Sequence, residues 1–299
     1  MRKAVLIVNP FATGVTEPTL EQVRAALGRR AEVQVLLTER PRHATELVED
    51  ALREECDGIF VFSGDGGFNE AVNGADGKVP LGFIPGGGTS VLPRALRLPR
   101  DPVAAAFRLA ESLDRNRVRR ISLGRVNGRR FAFSAGVGLD AEAVRRFNRL
   151  GRKADGHRPG DARFVLTLLG ALGERGFRYE PVAELEGVGR VAFAIVTNSD
   201  VFTYVGARPL SLTPRARFEL GLDAVAPRDV RPRDVARLAA YLFTGRESLR
   251  GERVAYLHDR DRIALRADVP LPLQADGEDL GDVQEVVFEC ERSALSVLV

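Results

Sequence analysis

The chain has 299 residues, 44% of them hydrophobic, enough to bury a core in one large domain or two ordinary ones, and this excludes a disordered chain. Formal net charge is only +3, with arginine heavily outnumbering lysine, so the overall balance says little about partners and local clusters matter more. The 2 cysteines, Cys56 and Cys290, exclude a disulfide framework and predict reduced, buried thiols; no apolar run approaches the ~20 residues of a membrane span, which predicts a soluble cytoplasmic protein still able to dock on a membrane surface.

The opening "MRKAVLIVNP" has a basic tip like a signal peptide, but Asn9-Pro10 cuts its apolar stretch short, so Ala4 to Val8 is read as a first buried strand. Leu20, Val23 and Leu27 recur at helical spacing. "EVQVLL" (32–37) is a second strand, and Ala44, Leu47, Val48, Ala51 and Leu52 mark a second amphipathic helix. "GIFVF" (58–62) and "LGFI" (81–84) are the third and fourth strands. Alternation of this kind predicts a parallel sheet with right-handed crossovers.

After about Arg120 the rhythm changes. "RISLGRVNGRRFAFSAG" predicts a hairpin turned at Asn127-Gly128. Helices are expected near 140–150 and 161–173. Strands follow at "VAELE", "RVAFAIVTNS" and "RFELGLDAV", then a helix near 232–244, then strands at "RVAYLH", "RIALRA" and "LPLQAD". The last strands, "EVVFEC" and "ALSVLV", are apolar enough to return to the first sheet. The expected boundaries are 1–120 plus 286–299 for an α/β domain and 121–285 for a β-rich domain. No internal repeat or low-complexity segment is visible.

"FSGDGGFNE" (62–70) sets 3 glycines around one aspartate at the end of the third strand, where open α/β sheets bind ligands. Glycine permits positive φ and close approach to the backbone, and free amides at a helix N-terminus attract an anion, phosphate above all. A lone turn of this type is as readily structural. A second loop, "IPGGGTS" (84–90), repeats the device after the next strand; "NPFATG" (9–14) closes the first strand and Thr38 ends the second. Phosphate-compatible residues at four strand ends favour a nucleotide-phosphate site. No P-loop or dinucleotide fingerprint is present. Asp65 would repel phosphates unless a cation lay between them, so it is a candidate Mg²⁺ ligand and points to phosphoryl transfer from a magnesium nucleotide.

"NP…TG", "SGDGGFNEAVNG", "IPGGGTSVLPRAL" and, far downstream, "ADGED" resemble the catalytic domain of the diacylglycerol kinase and sphingosine kinase family, in the same order along nearly the whole chain. The resemblance implies an NAD-kinase-like two-domain fold: a parallel α/β nucleotide domain and an antiparallel β-sandwich domain, with the C-terminus returning to the first. It implies ATP and Mg²⁺, with Asn9 and Thr13 near the nucleotide and Thr38 touching it. Gly64, Asp65, Gly66, Gly67 and Asn69 would form a diphosphate loop steadied by Glu70, and Gly87, Gly88 and Thr89 would close the site. In "QADGEDLGD" (274–282), Asp276, Glu278, Asp279 and Asp282 read by themselves as a solvated hairpin tip; the resemblance makes Glu278 the acceptor of a lipid hydroxyl's proton.

Several positions depart from the family pattern. Ser63 stands for a glycine, Gly67 for a threonine, Ser90-Val91 for Asn-Asp and Ser122 for an aspartate. Glu219-Leu220-Gly221 replaces an Asp-Asp-Gly stretch, so no structural Mg²⁺ site is expected. The implied substrate is a diacylglycerol-like lipid. A basic, partly apolar segment (144–163) offers peripheral contact at the inner membrane face through the Arg145–Arg158 region, or is a solvated helix face. No nucleic-acid motif is seen, and a homodimer is compatible with the sequence. His43, His157 and His258 share no ligand spacing and read as surface residues. Two rivals stay open: a soluble-substrate, NAD-kinase-like kinase, and a catalytically silent nucleotide- or lipid-binding protein.

Overall fold

In the computed structural model, which describes residues 2–149, 167, 170–174 and 176–299, the apolar run Ala4–Val8 lies within β1 (Arg2–Val8) and is buried along its whole length. The chain divides into two compact units, Met1–Ile121 with Ser293–Val299, and Ser122–Arg292.

The first unit continues with α1 (Glu17–Gly28), β2 (Ala31–Leu37), α2 (His43–Arg53), β3 (Gly58–Ser63), α3 (Asp65–Gly74), β4 (Leu81–Pro85), α4 (Val91–Ala95) and α5 (Pro102–Asp114). Local chemistry starts the helices: Thr16 caps α1 and Asp101 caps α5, each followed by a proline in the first turn. The strands run in the order β4-β3-β1-β2, all parallel, with Val8 level with both Leu37 and Phe62, and Ser63 level with Pro85. On the far side of β4 the C-terminal residues add a further parallel neighbour through Val297 and Leu81. β3 and β4 are buried residue by residue because both faces are covered. Phe68 of α3 meets Phe83 of β4 edge-on at 5.3 Å.

β5 (Val118–Val126) leads from the first unit into the second. It turns back into β6 (Arg129–Phe131) through Asn127 (φ 49°) and Gly128 (φ 76°), the left-handed pair that a two-residue hairpin requires. Then come β7 (Ser134–Val137), α6 (Leu139–Arg149), β8 (Ala183–Leu185), β9 (Gly189–Val191), β10 (Ala194–Thr197), β11 (Thr203–Val205), β12 (Arg208–Leu210) and β13 (Leu222–Pro227). α7 (Val235–Thr244), α8 (Glu247–Arg250), β14 (Val254–Arg260), β15 (Arg262–Ala275) and β16 (Glu278–Leu298) complete the chain. Six of these strands form an antiparallel path, β14-β13-β10-β7-β15-β16. β15 pairs with β7 through Leu273–Ala275 and with β8 through Leu265–Ala267, so one long strand serves two neighbours. The core beneath includes Phe131, Leu185, Val196, Leu265 and Phe288. The result is a parallel α/β unit and a β-rich unit, with the C-terminus back in the parallel sheet.

Some expectations shift. "RIALRA" and "LPLQAD" are one strand whose register slips between Arg266 and Leu271 and again between Pro272 and Gln274, beside Pro270 and Pro272, which cannot donate to the ladder. "RVAFAIVTNS" splits into β9 and β10. Only the end of "RFELGLDAV" is strand, and the β11–β12 hairpin was not anticipated. Cys56 and Cys290 are free but only half-buried. Among the described residues, no helix is long and apolar enough to cross a membrane.

Candidate functional site

The carboxyl ends of four parallel strands lie level in the first unit. Asn9 N–H donates to Phe62 O (3.0 Å), Thr38 N–H to Val8 O (2.8 Å) and Gly86 N–H to Ser63 O (2.7 Å), so ladder bonds run one residue past β1, β2 and β4. β1 is followed by β2 on one side and β3 on the other, which makes the β1–β3 boundary a topological switch point, the place where open α/β sheets leave a crevice for ligands. Asn9 and Gly64 flank it. Asn9 Oδ1 accepts from Phe11 N–H (3.0 Å) and folds the 9–14 turn, and Gly14 N–H donates to Gly86 O (2.8 Å), joining that turn to the second glycine run. Thr13 is half-buried within the turn; Thr38 is buried.

The glycines are needed for closeness, not for positive φ, which none of Gly64, Gly66, Gly67, Gly86, Gly87 and Gly88 adopts. Residues 65–67 are not a loop: α3 begins at Asp65 with Gly64 as its cap position. A Cβ on Gly87 would fall 2.8 Å from Gly64 Cα, and one on Gly67 would fall 2.2 Å from Ser63 Oγ. Gly66 and Gly88 differ, since a Cβ on either would meet nothing within 4 Å. Packing does not explain these two, and the space beside them is open. α3 has no side-chain cap, so its first-turn amides, those of Gly66 and Gly67 included, have no partner inside the helix and present the positive end of the helix dipole.

Asp65 Oδ1 accepts from Leu92 N–H (3.2 Å), so this carboxylate ties the start of α3 to the start of α4. Asn69 is buried in α3, its Oδ1 and carbonyl both taking bonds from Asn73 Nδ2. Glu70 does not reach the glycine turn: its Oε2 accepts from Ala44 N–H (3.3 Å) and its carbonyl from Thr45 Oγ1 (2.8 Å), binding α3 to α2. In the second run Thr89 offers its carbonyl to Arg94 (3.4 Å). Among the described residues no group of three or more acidic, His or Cys side chains gathers as a metal cage. Mg²⁺ usually takes one or two carboxylates plus substrate phosphates, so the residues present fit an ion that arrives on a nucleotide and meets Asp65.

The remaining sequence candidates belong to the second unit. Asp276 (φ 46°) and Gly277 (φ 81°) turn the β15–β16 hairpin, opposing Ala275 to Glu278. The tip is not wholly solvated. Asp276 is buried, its carboxylate accepting from the amides of Ala132 (2.7 Å), Phe133 (3.0 Å) and Ser134 (3.1 Å). Glu278 is half-exposed and ion-paired with Arg129. Asp279 and Asp282 both pair with Arg145 of α6, at 2.7 and 2.6 Å; the Arg145 hydrogen bond holds the Asp279 carboxyl below its ordinary range. Arg146 pairs with Glu142 and Glu174. Two arginines of the expected basic patch are therefore neutralised, and residues 150–158 of it lie outside the described residues.

Comparison with known proteins bears on this arrangement. Residues 3–126 match the family model described as the diacylglycerol kinase catalytic domain. A diacylglycerol kinase of Bacillus subtilis is 34% identical over 143 residues (46% of each chain), and one of Staphylococcus haemolyticus is 33% identical over 137 residues, 44% of this chain and 40% of its own. The chain thus spans about half the length, or less, of the relatives it matches in sequence. In fold the likeness runs further. A crystal structure of a diacylglycerol kinase from Bacillus anthracis superposes with TM-score 0.71 at 18% identity, covering 99% of this chain and 96% of that one. An NAD kinase from Archaeoglobus fulgidus in complex with ATP gives 0.56 at 14% identity, covering 99% and 93%.

Two positions at which the sequence departs from the pattern it resembles, Ser63 and Gly67, touch each other. Ser63 Oγ fills the space that a side chain at Gly67 would need. Ser90 (φ 48°) closes the second run on itself, its Oγ bonding Gly87 N–H and Gly87 O at 3.2 Å each. In the second unit Ser122 is fully buried and its carbonyl accepts from Asn198 (2.5 Å). Sequence reasoning passed over Asp140 of α6, wholly buried against Gln274 (2.5 Å) with its carboxyl pushed up to about 6 by desolvation. It also read His258 as an ordinary surface residue, whereas Nδ1 lies 2.9 Å from the buried Asp223 carboxylate. His43 Nδ1 accepts from Glu39 N–H (3.1 Å) at the start of α2, and His157 lies outside the described residues. No local pattern marks Asp140 or Asp223, because their partners come from β15 and β14.

Proposed function

We propose that this chain is an ATP-dependent lipid kinase, transferring the γ-phosphoryl group of ATP to the hydroxyl of a diacylglycerol-like lipid. The reading is carried by the first unit's switch point, where the uncapped start of α3 and the side-chain-free faces of Gly66 and Gly88 leave a cradle for a polyphosphate. The family match over residues 3–126 supports the reaction class.

On this reading Asn9, Thr13 and Thr38 line the nucleotide, and Gly64, Asp65, Gly66, Gly67 and Asn69 hold its diphosphate. Gly87, Gly88 and Thr89 close the site from β4. A magnesium ion, when bound, neutralises phosphate charge, and Asp65 is the side chain that would hold it. Phosphoryl transfer passes through a loose transition state, so positioning by these amides outweighs acid–base chemistry. Glu278 accepts the proton as the lipid oxygen bonds to the γ-phosphorus and the bond to ADP breaks. Glu278 is ion-paired with Arg129.

Radiolabelled ATP given with a mixed lipid extract tests the reading: label is expected in lipid, whereas label in a soluble product, or in none, overturns it. Glu278→Gln should lower turnover by about 10²–10⁴-fold while Mg-ATP still binds, and unchanged turnover would remove Glu278 from the reaction.

A further inference from the structure

Ser63 is the last residue of β3, only 1% exposed, and its Oγ has no hydrogen-bond partner among the described residues. Burying a hydroxyl without a partner is unfavourable, and native chains rarely do it without a reason. The position of this hydroxyl supplies one. A Cβ on Gly67 would lie 2.2 Å from Ser63 Oγ and 4.0 Å from Asn9 Nδ2, so the hydroxyl sits beside the first turn of α3 at the switch point, facing the side-chain-free surface of Gly67. That turn has no side-chain cap, and its amides are donors. A hydroxyl beside N–H donors that the helix itself does not use is satisfied by a ligand that accepts from all of them at once. An oxyanion does this, and at a helix N-terminus the expected oxyanion is phosphate.

We infer that Ser63 Oγ donates a hydrogen bond to a phosphate oxygen held at the start of α3, and that residue 67 is glycine to leave that hydroxyl room. The inference rests on the nucleotide site proposed above and adds to it a direct ligand-binding residue. It also joins two positions that look independent along the chain into one exchange. A hydroxyl rising from the end of β3 occupies the place where a side chain on α3 would otherwise stand.

The test is calorimetric titration of the full chain with Mg-ATP, AMP and magnesium pyrophosphate, together with thermal melting. Ser63→Ala should weaken Mg-ATP by about ten- to a hundredfold, the range for a hydrogen bond to a charged group, and leave AMP unchanged. Its melting temperature should stay level or rise, because an unpaired buried hydroxyl has been removed. Ser63→Gly combined with Gly67→Thr should regain most of the lost affinity. Gly67→Ala should destabilise the chain with Ser63 present and be tolerated in the Ser63→Gly background.

Equal Mg-ATP binding by wild type and Ser63→Ala overturns the inference and leaves the nucleotide site standing. A Ser63→Ala variant that melts lower and weakens AMP and Mg-ATP alike also overturns it, since Ser63 would then be structural. Wild type that binds pyrophosphate but not Mg-ATP overturns the nucleotide reading, and Ser63 is then judged by whether Ser63→Ala weakens pyrophosphate. Wild type that binds none of the three overturns both.

Discussion

Gly66 and Asp140 show how much a single residue's surroundings decide. Gly66 occupies the first turn of a helix with neither positive φ nor a crowding neighbour to require it. Gly66→Ala should therefore leave the melting temperature level or slightly higher, since alanine is favoured over glycine in helices by up to about 1 kcal/mol. On the proposed reading Mg-ATP affinity should fall by tenfold or more, about 1.4 kcal/mol, because a methyl group would stand in the path proposed for the phosphate. Asp140 makes a prediction about pH. Its folded pKa, about 6, lies above its ordinary 3.8, with burial as the leading cause and the Gln274 bond opposing it. Below about pH 4 the group is protonated in both states and its full relative stability is present. As pH rises through about 6 the folded state must ionise a buried carboxyl, and stability falls by on the order of 3 kcal/mol. Asp140→Asn should remove that decline, which denaturant titrations between pH 4 and 8 would read.

At the scale of elements, α2 depends on α3. Arg42 at the cap of α2 is left-handed and its side chain accepts nothing, so the Glu70 carboxylate from α3 serves the Ala44 amide instead. Glu70→Ala should lower stability by about 1 kcal/mol, as loss of a cap does, and Glu70→Gln by less, measured by chemical unfolding. Hairpins were the most legible elements. Asn127-Gly128 supplies the left-handed pair of a two-residue turn, and nothing distant competes with that local requirement. Asp276-Gly277 turns the β15–β16 hairpin with the same left-handed pair. β15 was not legible as one strand, because prolines at 270 and 272 read locally as breaks. Its two halves are instead joined by pairing with β7, β8 and β16. The start of α3 was read as a glycine turn because the same small residues suit a turn and a close-packed helical first turn.

For the whole molecule, the C-terminal residues are part of the first unit's core. Leu295, Val297 and Leu298 are fully buried, and Arg120 donates to Gly77 O (2.7 Å) and Ser296 Oγ (3.0 Å) and also bonds Ser293 O. Each such apolar side chain contributes about 1.5–3 kcal/mol, so three together approach the total stability of a domain. Deleting 293–299 should unfold the first unit, seen as loss of amide-exchange protection in β1 and β3. By itself the sequence determined the parallel first half, the apolar return of the last strand and the glycine runs at the strand ends. These follow from periodicity and turn chemistry, which act over a few residues. The tertiary structure alone decided that Glu70 serves α2, that Glu278 pairs with Arg129 across 149 positions, and that Ser63 fills the space beside Gly67. Those outcomes depend on which side chains the packed elements bring within a few ångströms, and no local spacing encodes that.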